Sequence, residues 1–256
     1  MTPPLVRVIE EAGGSWQRVR LEAPPGHLLS LAMVEALHAA IATAGGRAGV
    51  KWLTIEGSRG QFSYGASIPE HLPAVMPTVL PAMHALMRGV LDTPVPTAAL
   101  VDGRCLGGGF ELALCCDAVF ATVDATLGVP EIKLAAFPPV AAALLPIRVG
   151  ASRAARAVLA GDALSAHYWH HAGLVSLVPD GSTLHEAAFT WFARYLAPRS
   201  AMALSHTARA VRAVWRPEVD RAIADNERRY LDLLAHPDAE EGIRAWMEQR
   251  PPRWRP

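Results

Sequence analysis

Cysteine is scarce in this chain: Cys105, Cys115 and Cys116 are the only three in 256 residues, crowded together and without C-x-x-C spacing. Neighbouring cysteines rarely meet disulfide geometry, so three reduced core thiols are expected and a disulfide scaffold is excluded. Net charge is lacking too. Lysine plus arginine equals aspartate plus glutamate at 24 each, which removes any global pull toward nucleic acid or an anionic membrane. No unbroken apolar run reaches the roughly 18 residues of a membrane span. The opening Met1-Thr2-Pro3-Pro4 has no basic-then-apolar leader pattern. A soluble cytoplasmic protein with no nucleic-acid or membrane partner is the expectation.

Two ready-made catalytic signatures are also missing. No G-x-S-x-G elbow surrounds Ser67, which argues against a nucleophilic serine. His167, His170 and His171 stand at helical spacing but lack an H-E-x-x-H arrangement, so no metal is expected.

What the chain has is apolar bulk and ordered turns. At 51% hydrophobic it can bury a sizeable core as one compact domain with an appendage. Leu5–Glu10 and Trp16–Leu21 read as strands around Gly13-Gly14. A helix follows from the Ser30 N-cap to Gly45-Gly46, with Leu31, Val34, Leu37 and Ile41 on one face. Trp52–Glu56 reads as a strand, Ser58–Pro69 as a loop and Pro73–Leu91 as a helix. Val95–Val101 is apolar enough for a buried strand, and Ala118 opens another. Beyond about Gly150 helices dominate, interrupted by a strand-like Gly173–Val178. Trp215, Tyr230 and Leu234 are expected to pack or to make subunit contacts. Arg209, Arg212, Arg216, Arg228 and Arg229 are expected mainly as solvated helix surface.

The most informative feature is a pair of glutamates twenty residues apart, Glu111 and Glu131, each introduced by glycine or proline. Gly107-Gly108-Gly109 precedes the apolar helical stretch that carries Glu111, so backbone N–H groups there can approach a ligand oxygen unobstructed. Glu131 sits on the turn Gly128-Val129-Pro130. Two carboxyls facing one substrate can act as base and acid when their environments separate their pKa values, which suits addition of water to a double bond.

Five ordered segments resemble the enoyl-CoA hydratase/isomerase (crotonase) superfamily over nearly the whole chain. They are Phe62–Ile68, Leu106–Glu111, Val129–Glu131, Ala163–Val175 and Asp238–Trp254. The resemblance implies an α/β fold, a spiral of repeated strand-strand-helix units over residues 1–195. It also implies a helical oligomerisation region over 196–256 that builds a homotrimer or a dimer of trimers. It implies an acyl-CoA thioester substrate, with coenzyme A bound only as part of that substrate and no separate cofactor. The amides of Ala66 and Gly108 would form an oxyanion hole, and Glu111 and Glu131 the acid/base pair. Tyr64, Ala66, Ser67, Ile68, Leu106 and Gly108 would contact coenzyme A, and some of the arginines would meet its 3'-phosphate. Both glutamates together favour a hydratase. An acyl-CoA isomerase, a ring-opening hydrolase and a non-catalytic binding protein are the alternatives.

The chain departs from the common family pattern at Ser67, where aspartate is usual, and at Val129, where glutamine is common. It also departs in an apolar, proline-stiffened loop from Ala135 to Pro146 in place of a glycine-rich one. The combination is similar to the hydratases that act on cyclohexa-1,5-diene-1-carbonyl-CoA. By that resemblance Phe137, Pro138 and Val140 would shape a pocket for a ring.

Overall fold

The computed structural model of the chain describes residues 4–178 and 182–255. Strands β1 (Val6–Glu11) and β2 (Trp16–Leu21) form an antiparallel pair with Val6 opposite Leu21. The tight turn between them is made by Gly13 and Gly14, both at positive φ. From β2 onward the main sheet is parallel through β3 (Trp52–Glu56), β4 (Thr97–Val101), β6 (Ala118–Ala121) and β9 (Val175–Leu177). Every residue of β3 and β4 is buried, as central parallel strands covered on both faces must be. A second sheet holds β5 (Arg104–Leu106), β7 (Thr126–Gly128) and β8 (Ala163–Ser165).

The chain alternates between the two sheets. It passes from β4 to β5, through helix α3 (Gly108–Leu114), and back to β6 and β7. This is the expected strand-strand-helix repeat. Helix α1 (Leu31–Gly45) is capped as predicted, the Ser30 hydroxyl accepting from the Met33 N–H at 3.4 Å. Helix α2 (Met76–Asp92) lies against it. The three cysteines are free and buried, in keeping with their expected core role.

The region from Pro139 is a correction to the sequence reading. It forms helix α4 (Pro139–Val149) instead of a loop. Proline is tolerated in a first helical turn, whose N–H groups lack intrahelical partners, and burial of Val140, Ala141, Leu144 and Leu145 holds the rest. The remaining helices are α5 (Ala151–Ala160), α6 (Ala166–His171), α7 (Leu184–Tyr195), α8 (Ala201–Ala213), α9 (Arg216–Leu234) and α10 (Pro237–Met247). Helix α7 covers one face of the main sheet, its Phe192 stacked on Trp52 with ring centroids 6.0 Å apart. Helix α9 packs on α4 and α2 at the opposite side.

Arg212 is the second correction. It is 4% exposed, not solvated. Its Nε donates to Asp117 Oδ1 at 2.8 Å, and its other nitrogens donate to the carbonyls of Leu91, in the last turn of α2, and of Thr93 and Val95 just beyond it. The planar fork satisfies several acceptors at once, which is what allows a guanidinium to be buried.

Candidate active site

Two backbone segments meet at the mouth of a cavity. Ser63 fixes the first: its hydroxyl donates to the His27 carbonyl at 2.8 Å and accepts from the Gly65 N–H at 3.1 Å. The Gly65 carbonyl accepts from the Leu29 N–H at 2.9 Å, so the turn is held from both sides. Gly65 has φ +93°, and a Cβ there would lie 2.7 Å from the Leu106 carbonyl and 3.3 Å from the Gly108 nitrogen. Only glycine lets the segments approach this closely. On the other segment, a Cβ built at Gly108 would lie 3.6 Å from the Ala66 nitrogen. Among the described residues, neither the Ala66 nor the Gly108 N–H donates to a protein acceptor.

Glu111, in the first turn of α3, is 5% exposed. Its Oε1 accepts from the N–H groups of Val140 at 2.8 Å and Ala141 at 2.9 Å, both in the first turn of α4. These are donors that a helix leaves unpaired. Glu131 opens a short 3-10 turn, Glu131–Leu134, after Pro130. Although the residue as a whole is half-buried, its carboxyl end is enclosed: Oε2 is buried with no hydrogen-bond partner. Its Oε1 lies 2.9 Å from where a Gly107 Cβ would be, so glycine at 107 makes room for the acid.

Burial raises the pKa of both carboxyls, but unequally. Burial pushes Glu111 up to about 7, opposed by its two N–H bonds. Glu131 is held well above the usual carboxylate range, first by burial and then by the Glu111 charge. Of the pair, Glu111 is therefore the first to ionise and Glu131 the one that holds its proton longer. This is the separation that acid/base division of labour requires.

The cavity brings together most of the residues singled out from the sequence. Tyr64, Ala66, Ile68, Gly108, the two glutamates, Phe137 and Val140 border it, while Ser67, Leu106 and Pro138 do not. Ser67 points its carbonyl to His71 Nδ1 at 2.9 Å, Leu106 lies in β5, and Pro138 caps α4. The sequence reading missed the stripe of α2 that faces the cavity, from Met76 through Leu80 and Met83 to Met87, although its helical spacing is visible. Tyr230 of α9 is expected from the sequence to pack or to make subunit contacts. It does lie 5.6 Å from Phe137, centroid to centroid, but it also lines the cavity. Burial, Glu131 and Glu111 together raise its phenol pKa.

The histidines of α6 are engaged locally: His170 with the Val175 carbonyl and His171 with that of His167. Among the described residues no group of three or more His, Cys, Asp or Glu is placed to hold a metal ion. No described helix is long and apolar enough to cross a membrane.

A family profile described as enoyl-CoA hydratase/isomerase matches residues 12–256. The chain belongs to that family. Cyclohexa-1,5-dienecarbonyl-CoA hydratase of Thauera aromatica is 34% identical over 250 residues, spanning 97% of this chain and 96% of the relative. The 2,3-dehydroadipyl-CoA hydratase of Escherichia coli K12 is 34% identical over 204 residues, 77% of this chain and 78% of the relative. The crystal structure of an enoyl-CoA hydratase from Mycobacterium avium subsp. paratuberculosis K-10 superposes with a TM-score of 0.87. It is 27% identical, covering 98% of this chain and 99% of that one. The fold is that of the crotonases, and the protein is an enzyme of the enoyl-CoA hydratase type, from a family that acts on acyl-CoA substrates.

In this hydratase-type enzyme the buried carboxyls also set a stability profile. A carboxyl whose pKa is higher folded than unfolded binds more protons in the native state, so stability falls as pH rises through that window. The window opens near 4.5 and extends to about 7 for Glu111 and higher for Glu131. Glu131→Gln cannot ionise. Its urea midpoint is expected to rise relative to wild type between about pH 5 and about pH 8. A pH-independent difference in midpoint would show that Glu131 is not held protonated.

Proposed function

We propose that the protein adds water across the α,β double bond of an acyl-CoA thioester. The observation that carries this is the unequal pair: Glu111 held by two N–H groups at the start of α4 and Glu131 enclosed with its Oε2 unpartnered. The thioester oxygen would accept from the Ala66 and Gly108 N–H groups, which become most valuable as that oxygen gains negative charge. One such donor is worth about 3 to 4 kcal/mol. Glu111 would take a proton from water as its oxygen bonds to the β-carbon. Glu131 would give its proton to the α-carbon of the enolate. Proton return from Glu111 to Glu131 resets the site, so the reaction consumes water alone and needs no cofactor.

The apolar wall formed by Phe137, Val140 and the methionines of α2 supports a bulky acyl group. Together with the likeness to the Thauera enzyme it favours a cyclic dienoyl thioester of aromatic-acid degradation. Tyr64 and Ile68, at the cavity mouth, would meet the coenzyme A portion, with surface arginines for its phosphates. Residues 196–256 would serve assembly into a trimer or a dimer of trimers, for which Met202, Val211 and Val214 of the α8 segment offer exposed apolar surface. A cytoplasmic location accords with reduced cysteines.

The test is to incubate the enzyme with crotonyl-CoA and with cyclohexa-1,5-diene-1-carbonyl-CoA in oxygen-18 water and weigh the products. A gain of one labelled water, larger in rate on the cyclic thioester, is expected. A product of unchanged mass would indicate the isomerase alternative and a free acid the hydrolase. No conversion of either thioester would point to a binding protein.

A further inference from the structure

Helix α9 is tied to the walls of the cavity on two sides. Asn226 Nδ2 donates to the Pro139 carbonyl at 2.8 Å, at the start of α4, and Glu227 Oε2 lies 2.6 Å from His84 Nδ1 on α2. Tyr230 follows at the i+4 and i+3 positions from these two residues, so the same face of α9 carries its ring to the cavity and against Phe137. Its hydroxyl is uncommitted. Tyr230 is 3% exposed, yet among the described residues its oxygen makes no hydrogen bond and is not one of the fully enclosed polar atoms that lack a partner, which are Gln17 Oε1, His27 Nδ1 and Glu131 Oε2. The hydroxyl therefore touches open space, and for so enclosed a side chain that space is the cavity it lines.

The same hydroxyl lies in the field of both carboxyls of the site. After burial, Glu131 and then Glu111 raise the phenol pKa, so the O–H stays intact near neutrality. The other uncharged polar side chains of the wall answer to different neighbours, His71 to Glu70 and His84 to Glu227 and Arg88. The phenol of Tyr64 stands at the mouth, with the Arg104 guanidinium over its ring. Glu111, acting as base, accepts only one hydrogen of a water, which leaves that water free to turn about the bond. A second fixed group on the water oxygen removes this freedom.

We infer that Tyr230 is a third catalytic residue, whose hydroxyl donates a hydrogen bond to the oxygen of the water that is added. The inference rests on the hydratase reading. One lone pair of the water oxygen accepts from Tyr230, the other forms the bond to the β-carbon, and one hydrogen passes to Glu111. The hydrogen bond from Tyr230 then remains on the new hydroxyl, and Tyr230 itself neither gains nor loses a proton. An acyl group that carries no hydroxyl of its own, linear or cyclic, suits this role, because the oxygen that Tyr230 holds arrives as water.

Tyr230→Phe removes that oxygen alone and keeps the ring on Phe137. Its kcat with crotonyl-CoA should fall about ten- to a hundredfold. Its melting temperature, and its affinity by calorimetry for butyryl-CoA, which takes up no water, should stay those of wild type, because the hydroxyl has no protein partner to lose. A second comparison reads the contact itself. In Glu111→Gln, where turnover is slowed, the 3-hydroxybutyryl-CoA that wild type forms should bind about threefold or more tighter than butyryl-CoA, and adding Tyr230→Phe should reduce that margin. The proposal is overturned if Tyr230→Phe keeps kcat within about threefold of wild type, or if the hydroxyl margin is untouched. A merely structural Tyr230 would lower the melting temperature and weaken butyryl-CoA along with the rate, which also overturns it. Wild type and Tyr230→Phe adding water equally fast would sink this inference and leave the hydratase reading standing, whereas a wild type that adds water to no enoyl-CoA would sink both.

Discussion

Glu131→Gln is expected to lower kcat for hydration by roughly a hundred- to ten-thousandfold, and Glu111→Gln by a comparable factor. The structure makes these unusually clean substitutions. Glu131 Oε2 has no protein partner to lose, and a glutamine at 111 keeps an oxygen for the Val140 and Ala141 N–H groups. The loss should therefore fall on proton transfer and not on folding. Because the two groups act on one transition state, the double variant should be little worse than the more damaged single one. Steady-state kinetics with crotonyl-CoA would measure all three. If either single variant keeps its rate within about tenfold of wild type, a one-glutamate reaction such as double-bond isomerisation becomes the better reading.

The pH profile of the same reaction follows from the same pair. Rate should rise as Glu111 loses its proton near neutrality and decline once Glu131, the more strongly perturbed of the two, begins to lose its own. The two limbs are linked, since the Glu111 charge raises the pKa of Glu131. Glu111→Gln, which removes the charge that raises Glu131, should shift the Glu131 limb downward, whereas Glu131→Gln should leave the Glu111 limb near neutrality.

How far the sequence carried this reading can be traced residue by residue. Ser30, the buried run of β3 and the triple glycine before Glu111 carry local signals, because caps, periodicity and turn chemistry act within a few residues. The positions of Glu111 and Glu131 were legible for the same reason. Helix α4 was not, since Pro138, Pro139 and Pro146 read as breakers although a first-turn proline costs a helix little. That miss concealed the decisive part of the site. The N–H groups that bond Glu111 and oppose the rise in its pKa belong to α4, so the unequal surroundings of the two carboxyls became visible only in three dimensions. Arg212 and Tyr230 were hidden differently. Each takes its role from partners about a hundred residues away in sequence, Asp117 for the arginine and Phe137 and the glutamates for the tyrosine.

Gly65→Ala is expected to lower kcat by about a hundred- to a thousandfold while Glu111 and Glu131 remain in place. At φ +93° an alanine is strained, and its methyl would sit 2.7 Å from the Leu106 carbonyl, a backbone atom that cannot rotate away. The first segment must then move relative to the second. Ala66 is the next residue, so its N–H would move with it, away from the position it is proposed to share with that of Gly108 around the thioester oxygen. A preset pair of donors is effective because it need not reorganise as charge develops, and a shift of even a fraction of an ångström forfeits part of that advantage. Gly13→Ala provides the comparison. Gly13 also has positive φ, +65°, but nothing lies within 4 Å of its Cβ position and it stands in the β1–β2 turn, away from the cavity. Strain alone would lower the melting temperature of both variants, whereas loss of rate should be confined to Gly65→Ala. Equal activity of the two variants would mean that the approach of the two segments serves the fold and that the thioester oxygen is held elsewhere.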